Sequence, residues 1–287
     1  MESVNRWTRL LTLLAVSASL SACGGAAPAA PSATTKVPAT SSTATTKVPA
    51  ASSSPTKKVP VAKANSVPQL PLAAMTTTPA VAAFKGSCTG IGFPTAGRGS
   101  FATQVNAASH AYVQSTTFHI GYTAKAFYYC AHIQAPVLAA TATGAGASTW
   151  TGDDMEFWLA PTNDRGQVRA ADTYQLLFNP AGGWNNTQGT GNSASPFNFK
   201  WASHTSFKVA VDGKVNGTYG SAKGWSVLAS VPWQDLGLTA APKRGAMMGF
   251  NTGGCIGANC TAQTDWLPGV NGSNWHTPAL WGELKVQ

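Results

Sequence analysis

Apolar and polar positions alternate with period two in seven short windows: Thr117 to Tyr122, Ala126 to Ile133, Met155 to Leu159, Thr173 to Asn179, Phe207 to Val211, Trp225 to Val231 and Ala246 to Asn251. Successive side chains of an extended chain point to opposite faces, so such alternation marks a strand with one face on a core. Clusters of Gly, Asn, Ser and Pro separate the windows, and no stretch shows the spacing of a long apolar helix. Seven or more short strands punctuated by turns predict an all-β protein, an antiparallel sandwich of jelly-roll type. The third window places Met155, Phe157 and Leu159 on one face and Glu156 and Trp158 on the other. It belongs to the run W-T-G-D-D-M-E-F-W-L-A-P at 150–161, which carries three of the ten acidic residues. A carboxylate beside an exposed indole suits a sugar, because the ring covers the apolar face of a pyranose while the carboxylate accepts hydroxyl hydrogen bonds. The structural alternative is a core Trp beside a solvated acidic turn.

The pattern is different ahead of residue 81. Arg6 and Arg9 precede an apolar run from Leu10 to Leu20 that is too short to span a bilayer, so 1–22 is expected to be an export signal. The ending Leu20-Ser21-Ala22-Cys23 resembles the lipobox of bacterial lipoproteins. That resemblance implies cleavage before Cys23, acylation of Cys23 (palmitate included) and a membrane tether on the bacterial cell envelope, at the outer membrane or cell surface. Residues 23–80 are rich in Ala, Ser, Thr, Pro and Lys, with T-T-K-V-P-A at 34–39 and again at 45–50. Such a segment buries too little apolar surface to offset its ordering entropy and is expected to be a disordered spacer. The folded domain is then 81–287, beginning near Ala82.

Composition supports an exported β protein, with charged residues at only 10% of the chain. The net charge of +9 divides unevenly, because residues 24–80 carry five Lys and no acid, whereas 81–287 hold 12 basic against 9 acidic residues. No basic cluster interleaved with aromatics occurs in the domain, so nucleic acid is not an expected partner. A monomer is expected. Beyond Cys23 the Cys count is even: Cys88, Cys130, Cys255 and Cys260. Three pairings are formally possible. The spacing favours a small Cys255–Cys260 loop, which leaves Cys88–Cys130 to pin the start of the domain to the second strand window.

Five motifs follow in a fixed order: the Trp150–Pro161 run, D-T-Y-Q-L-L-F-N-P-A-G at 172–182, G-W-S-V-L-A-S-V-P-W-Q-D-L-G-L at 224–238, G-A-M-M-G-F-N at 245–251, and D-W-L-P-G-V-N-G-S-N-W-H-T-P-A-L-W-G-E-L at 265–284. Together they resemble the family 9 carbohydrate-binding modules and their DOMON-like sandwich relatives. The resemblance implies a non-catalytic module that stacks a sugar, at oligosaccharide or polysaccharide ends, between two Trp residues, here Trp150 and Trp275. It also assigns Glu156, Asn179 and Asn271 to hydroxyl contacts and a role accessory to polysaccharide catabolism. The family's sugar-binding Arg falls on Leu177, and the Glu of its W-x-V-E motif on Leu228. Gln175, Asn185, Asn186 or Gln188 could supply polar contacts in place of that Arg, and Trp184 is either an added platform or loop packing.

Three other chemistries are weighed. Glycoside hydrolysis would need Glu156 with Asp153, Asp154 or Glu283 as a carboxyl pair. Haem held by Met155, Met247 or Met248 with His119 or His132 is the DOMON-like alternative, and a decayed scaffold is a further one. Structural calcium could draw on Asp153 and Asp154, with Asp164 and Asp172, although capping explains those residues equally well.

Overall fold

The computed structural model of this protein describes residues 67–104, 113–270, 272 and 274–287. The expected signal segment, Cys23, most of the expected spacer and Asn271 lie outside the described residues. Thirteen strands follow one another: β1 (Gln69–Leu72), β2 (Arg98–Gln104), β3 (Val113–Tyr122), β4 (Ala126–Gln134), β5 (Met155–Ala160), β6 (Tyr174–Phe178), β7 (Trp184–Gly189), β8 (Phe197–Asn198), β9 (Ser206–Gly213), β10 (Ala222–Pro232), β11 (Met247–Ile256), β12 (Ala262–Asp265) and β13 (Gly282–Val286). All seven alternating windows are strands.

Two sheets stack face to face. The larger has the order β1-β13-β11-β5-β6-β7-β8, with β12 also paired to β11; the smaller has the order β2-β3-β4-β10-β9. All pairings within them are antiparallel except β1 with β13. The core between the sheets takes one residue in two from each central strand: Phe118 and Ile120, Phe127 and Tyr129, Phe157 and Leu159, Leu176 and Phe178, Trp225 and Val227. The Tyr129 and Phe157 rings lie 4.7 Å apart across the layers, and the Tyr129 hydroxyl meets Thr252 Oγ1 at 2.7 Å.

The sandwich starts earlier than the alternation implied. β1 lies inside the expected spacer and runs parallel to β13, pairing Gln69 with Glu283 and Leu72 with Val286, and Leu72 is fully buried in the main core. Pro71 is tolerated there because β1 is an edge strand. The following segment covers the outer face of the smaller sheet, where Phe84, Cys88, Tyr128, Cys130 and Leu228 form their own apolar cluster. Cys88–Cys130 fastens it, and Cys255–Cys260 closes the small loop after β11. Leu228 stands where the family motif has Glu because this covering segment buries it, and a charge there would be desolvated without a partner.

The larger sheet is covered too. Trp158, Ala160, Cys255, Leu267, Val270, Trp275 and Trp281 form a second apolar cluster on its outer face, under the loop between β12 and β13. Hence β5 is buried on both faces rather than on one.

Candidate functional site

The register of the larger sheet sets the floor of the site. Glu156 pairs with Leu177 and Leu177 with Asn185; one row along, Trp158 pairs with Gln175 and Gln175 with Thr187. All six side chains point away from the main core, as period two requires. Five of them, all but the fully buried Trp158, form the base of a cleft of about 400 Å³ walled by Trp150, Trp275, Phe197, Phe199, His276 and the Cys255–Cys260 bridge.

The two Trp residues reach the cleft by different routes. Trp150 sits on a single 3-10 turn, Thr149–Thr151, and its side chain is 43% exposed. The turn is tied to the disulfide loop, because Asn259 N–H donates to Thr151 O at 2.9 Å. Trp275 is only 4% exposed, with its ring centroid 5.4 Å from that of Trp158, and its carbonyl accepts the Trp281 indole N–H at 2.8 Å. The loop carrying it is anchored at Asp265, which accepts from Asn251 Nδ2 at 2.9 Å and from the Leu267 N–H at 2.7 Å. Gly253 makes room for this: a Cβ there would fall 2.8 Å from an Asp265 carboxyl oxygen and 3.3 Å from Trp275 Nε1.

Among the described residues Glu156 is the one carboxylic acid lining the cleft. Its Oε2 accepts from Gln175 Nε2 at 2.6 Å, and Gln175 Oε1 in turn accepts from Arg169 Nη1 at 2.9 Å and from Thr187 Oγ1 at 3.1 Å. Burial raises the pKa of Glu156, and the neighbouring Asp154 carboxyl raises it further. Asp154 is itself raised to about 7, because burial outweighs the hydrogen bonds it makes to the Cys255 N–H, Glu156 and Thr149. The two carboxyls thus titrate as a pair rather than singly.

Arg169 was not foreseen. It is fully buried, donates from Nη2 to Thr187 O at 3.2 Å and lies 5.2 Å from the Phe197 ring centroid. Burial lowers its pKa to about 10 while the Glu156 charge opposes that shift, so it stays a cation at neutral pH. A guanidinium thus stands behind the cleft although Leu177 cannot supply one; it orients Glu156 through Gln175. Its only sequence signal was the missing Arg itself, which called for a substitute elsewhere. Phe197, Phe199 and His276 had no motif to mark them.

Several expected contacts are corrected. Asn179 is 1% exposed and spends its amide on Ala142 O (2.8 Å) and the Gly183 N–H (2.7 Å), because the loop at 142–147 folds over the end of β6. Trp184 lies on the core side of β7, packed against Phe207 with ring centroids 5.6 Å apart, so it is not a platform. Asn186 and Gln188 share that side and bond Trp201 O and Ala171 O; Asn185 lines the cleft. Both oxygens of Asp153 take backbone N–H groups, of Ala139 and Gly257, and Asp154 Oδ1 takes that of Cys255 at 2.6 Å. Among the described residues no group of three or more His, Cys, Asp or Glu is gathered that could hold a metal ion. The haem alternative fails on geometry: Met155 and Met248 are in the main core and Met247 is on the other face of β11 in the larger sheet, whereas His119 and His132 lie on the outward side of β3 and β4 in the smaller one. Glu283 pairs opposite Gly249 and Glu156 opposite Gly253, roughly 13 Å apart along β11. Glu283 is taken by Arg165 at 2.9 Å.

The disulfide loop supports the Trp150 turn, so its loss should reach the cleft. A Cys255→Ser, Cys260→Ser double variant is expected to lose about 2 kcal/mol of stability and to bind ligand several-fold more weakly. The Cys88→Ser, Cys130→Ser pair should lower stability and leave affinity unchanged. Equal affinities in both double variants, by titration calorimetry, would show that the loop does not hold the site.

Comparison with known proteins locates this architecture. A family model described as carbohydrate family 9 binding domain-like matches residues 98–287. Among solved structures, a family 9 carbohydrate-binding module from Caldicellulosiruptor kristjanssonii in complex with cellotriose is similar, with 17% identity, a TM-score of 0.50 and coverage of 77% of this chain and 94% of that one. A candidate carbohydrate-binding protein from Bacteroides uniformis shares 19% identity, with a TM-score of 0.57 and coverage of 77% and 100%. At these identities the likeness is one of fold. No curated protein matches the chain.

Proposed function

The chain belongs to the carbohydrate family 9 binding domain-like family, and on that premise we propose that it holds a sugar in the outer cleft of its larger sheet, between Trp150 and Trp275, without cleaving it. The observation that carries this reading is convergence. Two indoles more than a hundred residues apart line one cleft with, among the described residues, a single carboxylic acid and three amide side chains, Gln175, Asn185 and Gln263. Stacking on apolar pyranose faces with a few placed polar groups is what such a cleft offers. A single carboxyl in the lining supports binding over hydrolysis, which takes two flanking the scissile bond. Glu156 and Gln175 are the groups placed to meet hydroxyls.

The export signal and lipobox-like ending at 20–23 support a lipid-anchored envelope protein that presents this domain as a monomer beyond a Pro- and Lys-rich spacer. Growth with radiolabelled palmitate checks the anchor: label is expected on the wild-type chain and absent from Cys23→Ala, and label on both would refute it. The binding reading is checked with a glycan array probed with the full-length chain. Retention on at least one family of neutral glycans is expected, and retention on none would remove the reading.

A further inference from the structure

Among the described residues, four large hydrophobic side chains are exposed, and two of them, Trp150 at 43% and Phe199 at 60%, line the cleft. Trp150 is tied to the disulfide loop beside β11 and β12, whereas Phe199 directly follows β8, the opposite edge of the sheet. The turn that carries Trp150 packs on β6 as well as β11, and from β6 to β8 the order β6-β7-β8 gives two strand gaps of ~4.8 Å, roughly 10 Å, which is longer than one pyranose ring. Trp150 and Trp275 do not account for the β8 end.

That end is built. Phe197 is held edge-on by His276, with ring centroids 4.8 Å apart at 83°, and faces the Arg169 guanidinium on its other contact. Phe199 stands two residues on, 5.8 Å from Phe197. The inner Phe is thus fixed by partners while the outer one faces solvent, and the two rings form an apolar patch inside the cleft, as ligand-binding grooves do. The lining contains no Lys or Arg, and its one ionisable acid is Glu156. A carboxylated sugar would therefore meet the Glu156 carboxyl in the lining, while the Arg169 guanidinium behind it is already engaged by Gln175 and Thr187.

Resting on the carbohydrate-binding reading, we propose that Phe197 and Phe199 form a second stacking subsite, so that the cleft takes an uncharged oligosaccharide of at least two pyranose units. One unit lies at Trp150 and Trp275 over Glu156 and Gln175; the next lies on the Phe197–Phe199 edge, with the chain leaving over exposed Phe199.

The test is calorimetric titration of the full-length chain with three neutral series, each as monomer, dimer and trimer: glucose to cellotriose, xylose to xylotriose, and N-acetylglucosamine to chitotriose. In the series that binds, the dimer is expected to bind at least five-fold more tightly than its monomer, and digalacturonate to bind no better than a monomer. Phe199→Ala should weaken the dimer three- to ten-fold and the monomer less, and Phe199→Trp should tighten the dimer. Phe199 is exposed, so neither change endangers the fold, and Tyr219→Ala serves as an exposed-aromatic control with wild-type affinities. A dimer no tighter than its monomer, or a Phe199→Ala variant that loses monomer and dimer equally, would overturn the second subsite and leave the sugar site standing. No binding in any series would overturn both.

Discussion

Trp150→Ala should lower the affinity of the chain for its glycan by ten-fold or more while leaving the unfolding temperature within about 1 °C of wild type. The indole is 43% exposed on a surface turn, so truncation removes little packing. It removes a stacking wall worth about 1 kcal/mol beyond area burial, together with the buried area itself, and 1.4 kcal/mol is already ten-fold. Trp275→Ala should lose as much affinity and a great deal of stability. That ring is 4% exposed, packs on Trp158 and closes the second apolar cluster. Truncating a buried Trp costs about 3–5 kcal/mol, which lowers the unfolding temperature by roughly 6 °C or more in a domain of this size. Wild-type affinity in Trp150→Ala would remove it from the site. Wild-type stability in Trp275→Ala would mean that the cluster does not hold the loop.

The second large effect is a loss of stability as pH rises through neutrality. Burial pushes Asp153 up to about 6 and Asp265 up to about 7, and it raises Asp154 and Glu156 in the same direction. Each keeps its proton in the fold at a pH where the unfolded chain, titrating near ~4, has lost it. The stability these groups contribute is complete below their unfolded values and is lost as pH rises through their folded ones. His119 and His276 act oppositely, because burial lowers both to about 4. Their contribution is present above an unfolded value of ~6.5 and is lost only as pH falls toward 4. Between pH 6.5 and 8 both imidazoles are neutral in the fold, and in the unfolded chain they shed only the protons still bound near ~6.5, a smaller opposing effect than that of the four carboxyls, which set the sign of the slope. Scanning calorimetry is expected to find the unfolding temperature at pH 8 lower than at pH 6.5 by roughly 3 °C or more, at ~1.4 kcal/mol per pH unit for each excess proton. Asp154→Asn keeps the Oδ1 acceptor for Cys255 N–H and removes one titrating group, so its slope should be shallower. A flat or rising wild-type profile would contradict the buried carboxyl arrangement.

The strands that were legible in the sequence are those with one face on the main core. Phe118 and Ile120, Phe127 and Tyr129, or Trp225 and Val227 advertise themselves by alternation. β7 did not, because after Trp184 its core-side positions are Asn186 and Gln188, polar residues near a sheet edge that bond to loop carbonyls. β1 and β12, of four residues each, are too short to show a period, and β1 is masked further by the Ala- and Pro-rich stretch around it.

The site divides in the same way. Motif order brought Trp150, Glu156 and Trp275 to one place, and the structure gathers all three. Asn179 and Trp184 were misplaced because local sequence does not report which loop folds over a strand end or which face a short edge strand turns inward. Trp158 sat on the correct face, yet its burial depends on a cover supplied by residues more than a hundred positions later. Arg169 lies in a loop without periodicity, and only three-dimensional proximity to Gln175 and Thr187 reveals its part.

The most direct test is a crystal structure of the protein grown with the tightest-binding neutral oligosaccharide from the calorimetric series. A pyranose ring is expected between the Trp150 and Trp275 indoles, with hydroxyls within hydrogen-bond distance of Glu156 and Gln175 at the cleft floor. A sugar bound elsewhere on the domain, with this cleft holding only water, would contradict the account.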